Sequence, residues 1–393
     1  MAARIDQLLA GFADGDAISR DARLIQDALR AAGYASDIYV VPEGIAPRMR
    51  AACRPLGEYR GQPDDVLVYH YSIASAATAV YTASPARRVV RYHNITPAEF
   101  FSGYDDGMVR TLRRAREELA GVVAAADVVW ADSRFNAAEI ETLDRRVHAG
   151  PDLVSGRSLR PETSSGPTRG TGSQPSSMSD RVQVLPVLFA PNAADTSPDA
   201  AVAAKYGGSL QNILFVGRMV PNKRVEDLIL AVAWYTRTVS PFARLILVGS
   251  DRSCPRYFAL LRLLALGLDL PNVCFEGFAS EAGLAACYRA ASLFVSASDH
   301  EGYCLPLVEA MHCGVPVIAK DTGGMPEALG GAGVLYTDLD APELAELMHR
   351  VLADAALRAQ VLESQRRRMA VVQARDLREA VAELVRALVP AAG

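Results

Sequence analysis

The most constraining feature of the sequence is the stretch 293–320, in which strand and helix signals alternate. Leu293–Ser296 is an apolar run that predicts a strand, and a turn-rich loop follows it. Pro306 suits the first helical position and Gly314 suits the residue just past the helix end. Val315–Ala319 then predicts the next strand. This order of strand, loop, short helix and strand predicts a parallel α/β domain.

Two carboxylates in this stretch are placed differently by the predicted elements. Glu301 lies in the loop at the carboxyl end of a strand, where ligands bind in open α/β sheets. Glu309 falls in about the first turn of the following helix. A glutamate early in a helix is favoured by the helix dipole alone, and a loop glutamate is commonly just solvated. Both side chains are nevertheless placed where they can face one crevice.

The surroundings of the two glutamates resemble the signature of retaining family-4 glycosyltransferases of the GT-B fold. The matching residues are Glu301 and Glu309 at Glu-x7-Glu spacing, His300, Gly302, Ala310, Gly314, Pro316 and Val317. The resemblance implies that the first glutamate lies by the donor sugar and that the second binds the nucleotide ribose. It also implies two Rossmann-like domains that face a central cleft.

Composition sets the frame for this fold and excludes several classes of protein. A chain of 393 residues, half of them hydrophobic, can bury two ordinary cores. The formal net charge of -4 gives no general attraction to nucleic acid. Asp6 comes too early for a signal peptide, no stretch of 18 apolar residues occurs, and the six cysteines lack Cys-x-x-Cys spacing. We therefore expect a cytoplasmic protein without structural zinc.

The chain begins with a weak apolar strand over residues 5–12 and a glycine-containing loop. Gly15 in that loop lets backbone N–H groups approach a phosphate or sugar, although it also suits a simple turn. Ser19 is the predicted cap of the helix that follows. Asp14 and Asp16 match the Asp-x-Asp metal pattern of the other large glycosyltransferase fold. Chance is the preferred explanation, because that pattern should follow a long apolar strand, so no metal site is predicted.

Two histidines lie at the carboxyl ends of predicted strands. His70 ends the strand that begins at Val66, and His93 follows the strand Arg88–Tyr92. A lone histidine there is more often structural, but two equivalent positions favour function. The motif His93-Asn-Ile-Thr-Pro97 resembles a subgroup with bacterial polysaccharide mannosyl- and rhamnosyltransferases. That resemblance implies that His93 faces the donor sugar across the cleft, and it favours GDP-mannose or a related GDP-sugar as donor, with a UDP-sugar left open.

The rest of the first domain contains a basic helix and an insertion. The arginines around residues 111–119 are typical of a solvated face; the alternative is weak peripheral contact with an anionic lipid surface or a lipid-linked acceptor at the inner membrane face. Residues 149–181 are rich in Ser, Gly, Thr and Pro and predict a flexible insertion. We predict a first domain over 1–190, a nucleotide-sugar domain over 191–370, and a last helix over 371–393 that crosses back.

The second domain is predicted to open with a strand, a glycine, a basic loop and a helix. Arg218 and Lys223 lie at the carboxyl end of that strand, just before a positive helix terminus, and they match the family's Gly-Arg-x4-Lys pyrophosphate pattern. Phe278 resembles the place where the nucleotide base is held, although it could equally be a core residue. The resemblance also implies backbone contacts to the donor from Gly302, Tyr303, Cys304 and Leu305.

Together these patterns predict two Rossmann-like domains facing a cleft. The resemblance implies a GT-B enzyme that moves a sugar from a nucleotide donor to a hydroxyl of a glycan, a lipid-linked chain or a small molecule. The resemblance implies retention of configuration, no metal and no separate cofactor. Arg218 and Lys223 would stabilise the leaving phosphate, while Glu301 and His93 would hold the sugar. Two alternatives from other classes are a nucleotide-sugar epimerase of the same fold and a non-catalytic nucleotide-sugar-binding protein. Oligomeric state has no readable signal.

Overall fold

The computed structural model describes residues 4–148, 181–189, 196–375 and 377–386. Residues 149–180 of the predicted insertion lie outside this range. The described residues form two parallel sheets with helices packed around them. The prediction of an α/β fold with two Rossmann-like domains is confirmed.

The first sheet has the strand order β3-β2-β1-β4-β5-β6-β7, and its strands pair in parallel. Its strands are β1 Ile5–Leu9, β2 Ile38–Val40, β3 Arg54–Pro55, β4 Val66–Tyr71, β5 Arg87–Tyr92, β6 Val128–Ala131 and β7 Val182–Val184. The main helices of this half are α1 Ala17–Ala31, α2 Ala77–Ala83, α3 Asp106–Ala124 and α4 Arg134–His148. Short 3-10 helices cover Pro42–Gly44, Pro47–Ala52, Leu56–Glu58 and Ala98–Phe101.

The second sheet has the order β10-β9-β8-β11-β12-β13 and is also parallel. Its strands are β8 Gln211–Val216, β9 Ala243–Val248, β10 Val273–Gly277, β11 Leu293–Ser296, β12 Val317–Lys320 and β13 Val334–Tyr336. Its helices are α5 Ala200–Tyr206, α6 Val225–Thr238, α7 Pro255–Gly267, α8 Glu281–Ala290, α9 Leu305–His312, α10 Met325–Leu329, α11 Ala341–Ala353 and α12 Ala355–Gln373, with a 3-10 turn at Pro221–Lys223. In both sheets the middle strands mark the point where the strand order reverses, which is where ligands bind in such folds.

The last helix, α13 Leu377–Arg386, packs on the first domain rather than on the second. Val381 and Val385 are buried in one apolar cluster with Ile5 of β1 and Ile25 of α1. The preceding helix α12 runs to Gln373, so the predicted domain end at residue 370 falls inside it. The tail of the chain thus ties the two halves together through apolar burial.

Local details differ from the sequence prediction at two helix starts. Ser19 does not cap α1: the carboxylate of Asp16 accepts a hydrogen bond from the Ser19 backbone N–H at 2.9 Å, and the Ser19 hydroxyl also donates to it. Asp16 takes the cap because its carboxylate reaches the N–H three residues on, which is the usual geometry of an N-cap. In α9, Glu309 is the fifth helical residue and thus lies in the second turn rather than the first.

Candidate functional site

The two domains meet where loops leave the carboxyl ends of their strands. The loop between β11 and α9 lies directly against the first domain at Gly302, whose carbonyl accepts a hydrogen bond from the Ser133 hydroxyl at 2.7 Å. The ring of His300 hydrogen-bonds the Asn94 amide oxygen at 2.7 Å. Burial lowers the pKa of His300 to about 4, so this histidine is neutral at pH 7 and donates to Asn94. The predicted cleft is therefore lined by contacts that join its two walls.

Glycines allow this close approach. A Cβ atom placed on Gly302 would lie 2.8 Å from the His93 carbonyl oxygen and 3.2 Å from the Asn136 amide nitrogen. Behind it, a Cβ on Gly324 would lie 2.0 Å from the Gly302 carbonyl. Real Cβ contacts are longer than these distances, so a side chain at either position would push the facing backbone away.

We expect Gly302→Ala to separate the two walls of the cleft. The added methyl group has to displace the backbone at His93 or the amide of Asn136, because neither is the free end of a flexible chain. The variant should stay folded but lose roughly 10–100-fold in donor turnover, since a misplacement of about 1 Å can cost that much. Gly121→Ala in α3 is the matched control, because its Cβ meets nothing within 4 Å. Equal turnover in both variants would show that contact at Gly302 is dispensable.

Glu301 and Lys223 form an ion pair across two neighbouring loops of the second domain. Their side chains are 11% and 14% exposed, so both are largely shielded from water. Lys223 ends the 3-10 turn after β8, and Arg224 next to it adopts a left-handed conformation with φ of 51° that starts α6. The sequence predicted both residues for one site, and the structure brings their charged ends together.

The residues predicted to contact the donor through their backbone, 302–305, lead into α9, and the side chains of the last three pack inside the second domain. Tyr303 and Leu305 are 5% and 4% exposed and belong to an apolar cluster of the second domain. Cys304 has φ of 72° and stands at the N-cap of α9. Burial raises the pKa of the Cys304 thiol well above its ordinary value, so this cysteine is protonated. Only the backbone of residues 302–305 is therefore suited to contact a ligand, because Pro306 has no N–H and the Leu307 N–H already donates to the Cys304 carbonyl at 3.1 Å.

Glu309 is paired with two residues that sequence reasoning did not single out. Its carboxylate accepts hydrogen bonds from Arg20 of the first domain and from the Tyr288 hydroxyl, the latter at 2.8 Å. Burial alone would lower the pKa of Arg20, but the Glu309 carboxylate outweighs it and raises that pKa. Burial and the same carboxylate raise the pKa of Tyr288 well above its ordinary value. The glutamate expected at the ribose thus links the two domains.

The remaining predicted residues of the donor site lie at the edges of the cleft. Arg218 is exposed at the end of β8. Phe278 is 55% exposed and its ring approaches Gly15 of the other domain, where a Cβ would lie 2.7 Å from the ring edge. The loop predicted to approach a phosphate and the residue predicted near the base are therefore neighbours across the interface.

His93 does not point freely into the cleft. Its Nδ1 lies 2.9 Å from a carboxylate oxygen of Asp132, and its Nε2 lies 2.8 Å from Nδ1 of His70. His70 Nε2 in turn lies 2.8 Å from the amide oxygen of Gln7. The His93 side chain is 3% exposed, and the main-chain carbonyl is the part of this residue that faces Gly302. A direct contact between the ring and a sugar thus requires one of these hydrogen bonds to open.

A fully buried arginine completes this cluster. Arg91 on β5 donates to Asp21 of α1 at 2.9 Å and lies 3.1 Å from Asp132. Burial would raise the pKa of Asp21, but Arg91 and the neighbouring histidines outweigh it and lower that pKa. Asp21, His70 and His93 lie close enough for a metal ion, within 4.8 Å. Since Arg91 already supplies the cation to Asp21, the arrangement is that of a hydrogen-bonded ion cluster.

The comparisons with known proteins agree with this fold. Residues 211–354 match the family model of glycosyl transferases group 1. This stretch runs from the start of β8 to just past α11 and contains the whole second sheet. Sucrose-phosphate synthase from Thermosynechococcus elongatus superposes with a TM-score of 0.67 at 22% identity, covering 98% of this chain and 97% of that one. HepE of Anabaena in complex with UDP-glucose gives the same TM-score at 20% identity, with 98% and 100% covered.

Sequence relatives match over part of the chain. A serotype-specific mannosyltransferase, WbdA of Escherichia coli, is 29% identical over 153 residues, which is 39% of this chain and 19% of that enzyme. A GDP-mannose-dependent alpha-mannosyltransferase of Mycolicibacterium smegmatis is 35% identical over 134 residues, 33% of this chain and 31% of that enzyme. The chain thus spans well under half the length of the curated relatives it matches.

The chain is a GT-B protein, defined by its two facing parallel sheets. Residues 211–354 of its second domain are similar to the family of glycosyl transferases group 1. Among the described residues, no helix is long and apolar enough to cross a membrane.

Proposed function

We propose that this protein transfers a sugar from a nucleotide diphosphate donor to a hydroxyl group, with retention of configuration. The observation that supports this most is the Lys223–Glu301 pair beside the start of α9, with Glu309 on that helix at the domain interface. Departure of the nucleotide builds negative charge on its β-phosphate. Lys223, Arg218 and the backbone N–H groups of residues 302–305 stabilise that charge, and Glu301 binds sugar hydroxyls.

Glu309 is proposed to bind the ribose. A bound ribose competes with Arg20 for the carboxylate, because one oxygen of Glu309 already pairs with Arg20 and the other accepts from Tyr288. Replacing a strong charge-assisted bond is costly, so donor binding includes a rearrangement at this interface. The main-chain carbonyl of His93 faces the same gap and is the part of that residue best placed to meet a sugar hydroxyl.

The proposed donor is GDP-mannose or a related GDP-sugar. The mannosyltransferase relatives support it, including one named for its dependence on GDP-mannose. The second candidate is a UDP-sugar, favoured by the fold shared with HepE, which was solved with UDP-glucose. The proposed acceptor is a glycan or a lipid-linked chain.

A cavity of about 380 Å³ in the first domain is the proposed acceptor entry. It is lined by Pro97, Ala98, Glu99, Arg113, Arg116 and Glu117. Pro97 ends the motif that begins at His93, so the cavity borders the loop that faces the donor. Arg116 is held by Glu139, and the lining carries both arginines and glutamates, which suits the hydroxyl groups of a polar acceptor. Peripheral contact of α3 with an anionic membrane surface belongs to the same proposal.

We expect EDTA to leave turnover unchanged. The charge on the leaving phosphate is met by Lys223 and Arg218 in this proposal, and Asp16 is already used as the cap of α1. Activity is measured before and after dialysis against EDTA, and again after Mg²⁺ or Mn²⁺ is added back. Complete loss that a metal restores would contradict the proposal and direct attention to Asp14, Asp16 and the Asp21 cluster.

The reaction class is tested by following candidate donors by phosphorus and proton NMR with the purified protein and a bacterial glycolipid extract. The proposal predicts release of free GDP from GDP-mannose and an α-linked product, both lost in Glu301→Gln. An epimerase would give a new sugar-nucleotide signal without release of a nucleoside diphosphate. Binding of the donor without any turnover would support the non-catalytic alternative.

A further inference from the structure

We propose that His93 is a doubly protonated imidazolium in the resting protein and that His70 and Gln7 are positioning residues that hold it in this state. The kinetic part of the proposal rests on the proposed function, whereas the protonation state does not. Three observations support it: the direction of each hydrogen bond in the chain, the burial of its members and the charge balance around the ring.

The orientation of the Gln7 amide determines which atom donates in each hydrogen bond of the chain Gln7–His70–His93. The Gln7 amide nitrogen donates to the Ala22 carbonyl at 3.0 Å, so the other end of this amide, its oxygen, faces His70. An amide oxygen only accepts hydrogen bonds. Nε2 of His70 must therefore bear the hydrogen in the 2.8 Å contact with Gln7.

The second ring nitrogen of His70 then acts as an acceptor. His70 is 2% exposed, and burial lowers its pKa well below the ordinary value, so the ring is neutral and has one hydrogen only. Because Nε2 has that hydrogen, Nδ1 presents a lone pair to His93. Nε2 of His93 must supply the hydrogen in the 2.8 Å bond between the rings.

The other side of His93 also requires a hydrogen. Nδ1 lies 2.9 Å from an oxygen of Asp132, and the second oxygen of Asp132 is paired with Arg91 at 3.1 Å. A carboxylate paired with a guanidinium is ionised and accepts only. Both ring nitrogens of His93 therefore bear hydrogens, which makes the ring a cation.

Charge balance requires one further cation in this cluster. The charged groups around the ring are Asp132 after β6, Asp21 on α1 and Arg91 on β5, and their side chains are 4%, 0% and 0% exposed. Two carboxylates and one guanidinium leave one uncompensated negative charge. An unpaired charge in a dry interior is strongly unfavourable, so a cationic His93 neutralises the cluster.

The imidazolium matters for the cleft because it fixes the loop that faces Gly302. Asn94, the next residue, adopts φ of 74° and hydrogen-bonds both His300 of the second domain and Asn136 of the first. If His93 loses its second proton, the bond to His70 or the bond to Asp132 lacks a hydrogen. The carbonyl of His93 and the contacts of Asn94 then lose their fixed position.

The protonation state is tested on the full chain labelled with ¹⁵N-histidine. The six histidines are assigned from single substitutions, and His93→Gln identifies the signals of interest. At neutral pH we expect both ring nitrogens of His93 to show directly bonded protons. One unprotonated nitrogen at His93 in the wild-type protein would overturn the proposal, whatever the protein's activity.

Gln7→Met tests the positioning role. Without the amide oxygen, His70 can adopt the other tautomer and donate to His93, which then needs only one hydrogen. Asp21 and Asp132 still favour a cation at His93, so we expect a mixture of cationic and neutral His93 in Gln7→Met. We expect kcat to fall by up to roughly tenfold with an unchanged KM for the donor, since the Gln7–His70 hydrogen bond no longer fixes the protonation of the chain.

Gln26→Met is the matched control, because Gln26 is also buried and its amide also donates to a carbonyl, that of Ser36 at 3.0 Å. The control should leave the His93 spectrum as it is in the wild type. An unchanged spectrum in Gln7→Met, or the same change in both variants, would contradict the positioning role. Failure of the sugar-transfer proposal would instead appear as absent turnover with the His93 spectrum as expected.

Discussion

Lys223→Ala is expected to lower kcat for sugar transfer by about 10²–10³-fold. The lysine ammonium is the cation closest to Glu301, and in the proposed reaction it meets the charge that develops on the leaving phosphate. Removing one preorganised donor of this kind typically costs about 10²–10³ in rate. The affinity for the donor should fall as well, because the same charge acts on the bound diphosphate.

Lys205→Ala is the control for Lys223→Ala. Lys205 is also in the second domain and also pairs with a glutamate, Glu276, but it is 53% exposed and lies on α5. Steady-state kinetics of the two variants, with urea unfolding to confirm that each is folded, separates a site effect from a lost ion pair. Equal rates in the two variants would remove Lys223 from the reaction.

Arg91→Met is expected to destabilise the folded protein by about 3–5 kcal/mol. Breaking a buried ion pair by removing one partner leaves a charge without compensation, and here it leaves both Asp21 and Asp132 with less positive charge. The variant also loses the hydrogen bond from Arg91 to the Leu185 carbonyl. The free energy of unfolding in urea measures the effect.

The free energy of unfolding that Arg91→Met loses relative to the wild type should depend on pH. Arg91 contributes to a lowered pKa of Asp21 in the folded protein. The Arg91–Asp21 pair therefore stabilises the wild type fully above the ordinary carboxyl pKa. This stabilisation is lost as the pH falls through the lowered pKa of the folded protein. In Arg91→Met the buried carboxyl groups take up protons instead. The difference in the free energy of unfolding between this variant and the wild type should therefore become smaller toward acid pH. Arg87→Met, at an exposed position of the same strand, should change stability by only about 0.5 kcal/mol. A comparable loss in both variants would contradict the cluster account.

The fold could be predicted from the sequence because each βα unit is marked by an apolar run for its strand or by residues that start or end its helix. The apolar run Leu293–Ser296 is a strand with those bounds, and Gly314 ends α9 with φ of 70°. The next strand begins two residues later than predicted, at Val317, because Pro316 before it has no backbone N–H to donate to a neighbouring strand. Apolar periodicity locates an element more reliably than it locates its ends.

The contacts that the site residues make could not be predicted from the sequence. The pairs Arg20–Glu309 and Ser133–Gly302 join residues far apart in sequence, and no period or spacing relates them. The two histidines were predicted at equivalent strand ends, yet their mutual hydrogen bond depends on the register between β4 and β5, in which Tyr71 lies opposite Tyr92. Such contacts follow from domain packing, which a local pattern does not encode.

A nucleotide-sugar is proposed to bind between the two domains at Lys223, Glu301 and Glu309. A thermal-shift panel of GDP, UDP, ADP and their sugar conjugates tests it most directly, with Glu309→Ala and Lys205→Ala beside the wild type. Ligand at about 100 times its dissociation constant stabilises by roughly 2.7 kcal/mol, or on the order of 5–10 °C. We expect a shift of this size with GDP or GDP-mannose, retained in Lys205→Ala and lost in Glu309→Ala. No shift with any nucleotide, or the same shift in Glu309→Ala, would contradict it.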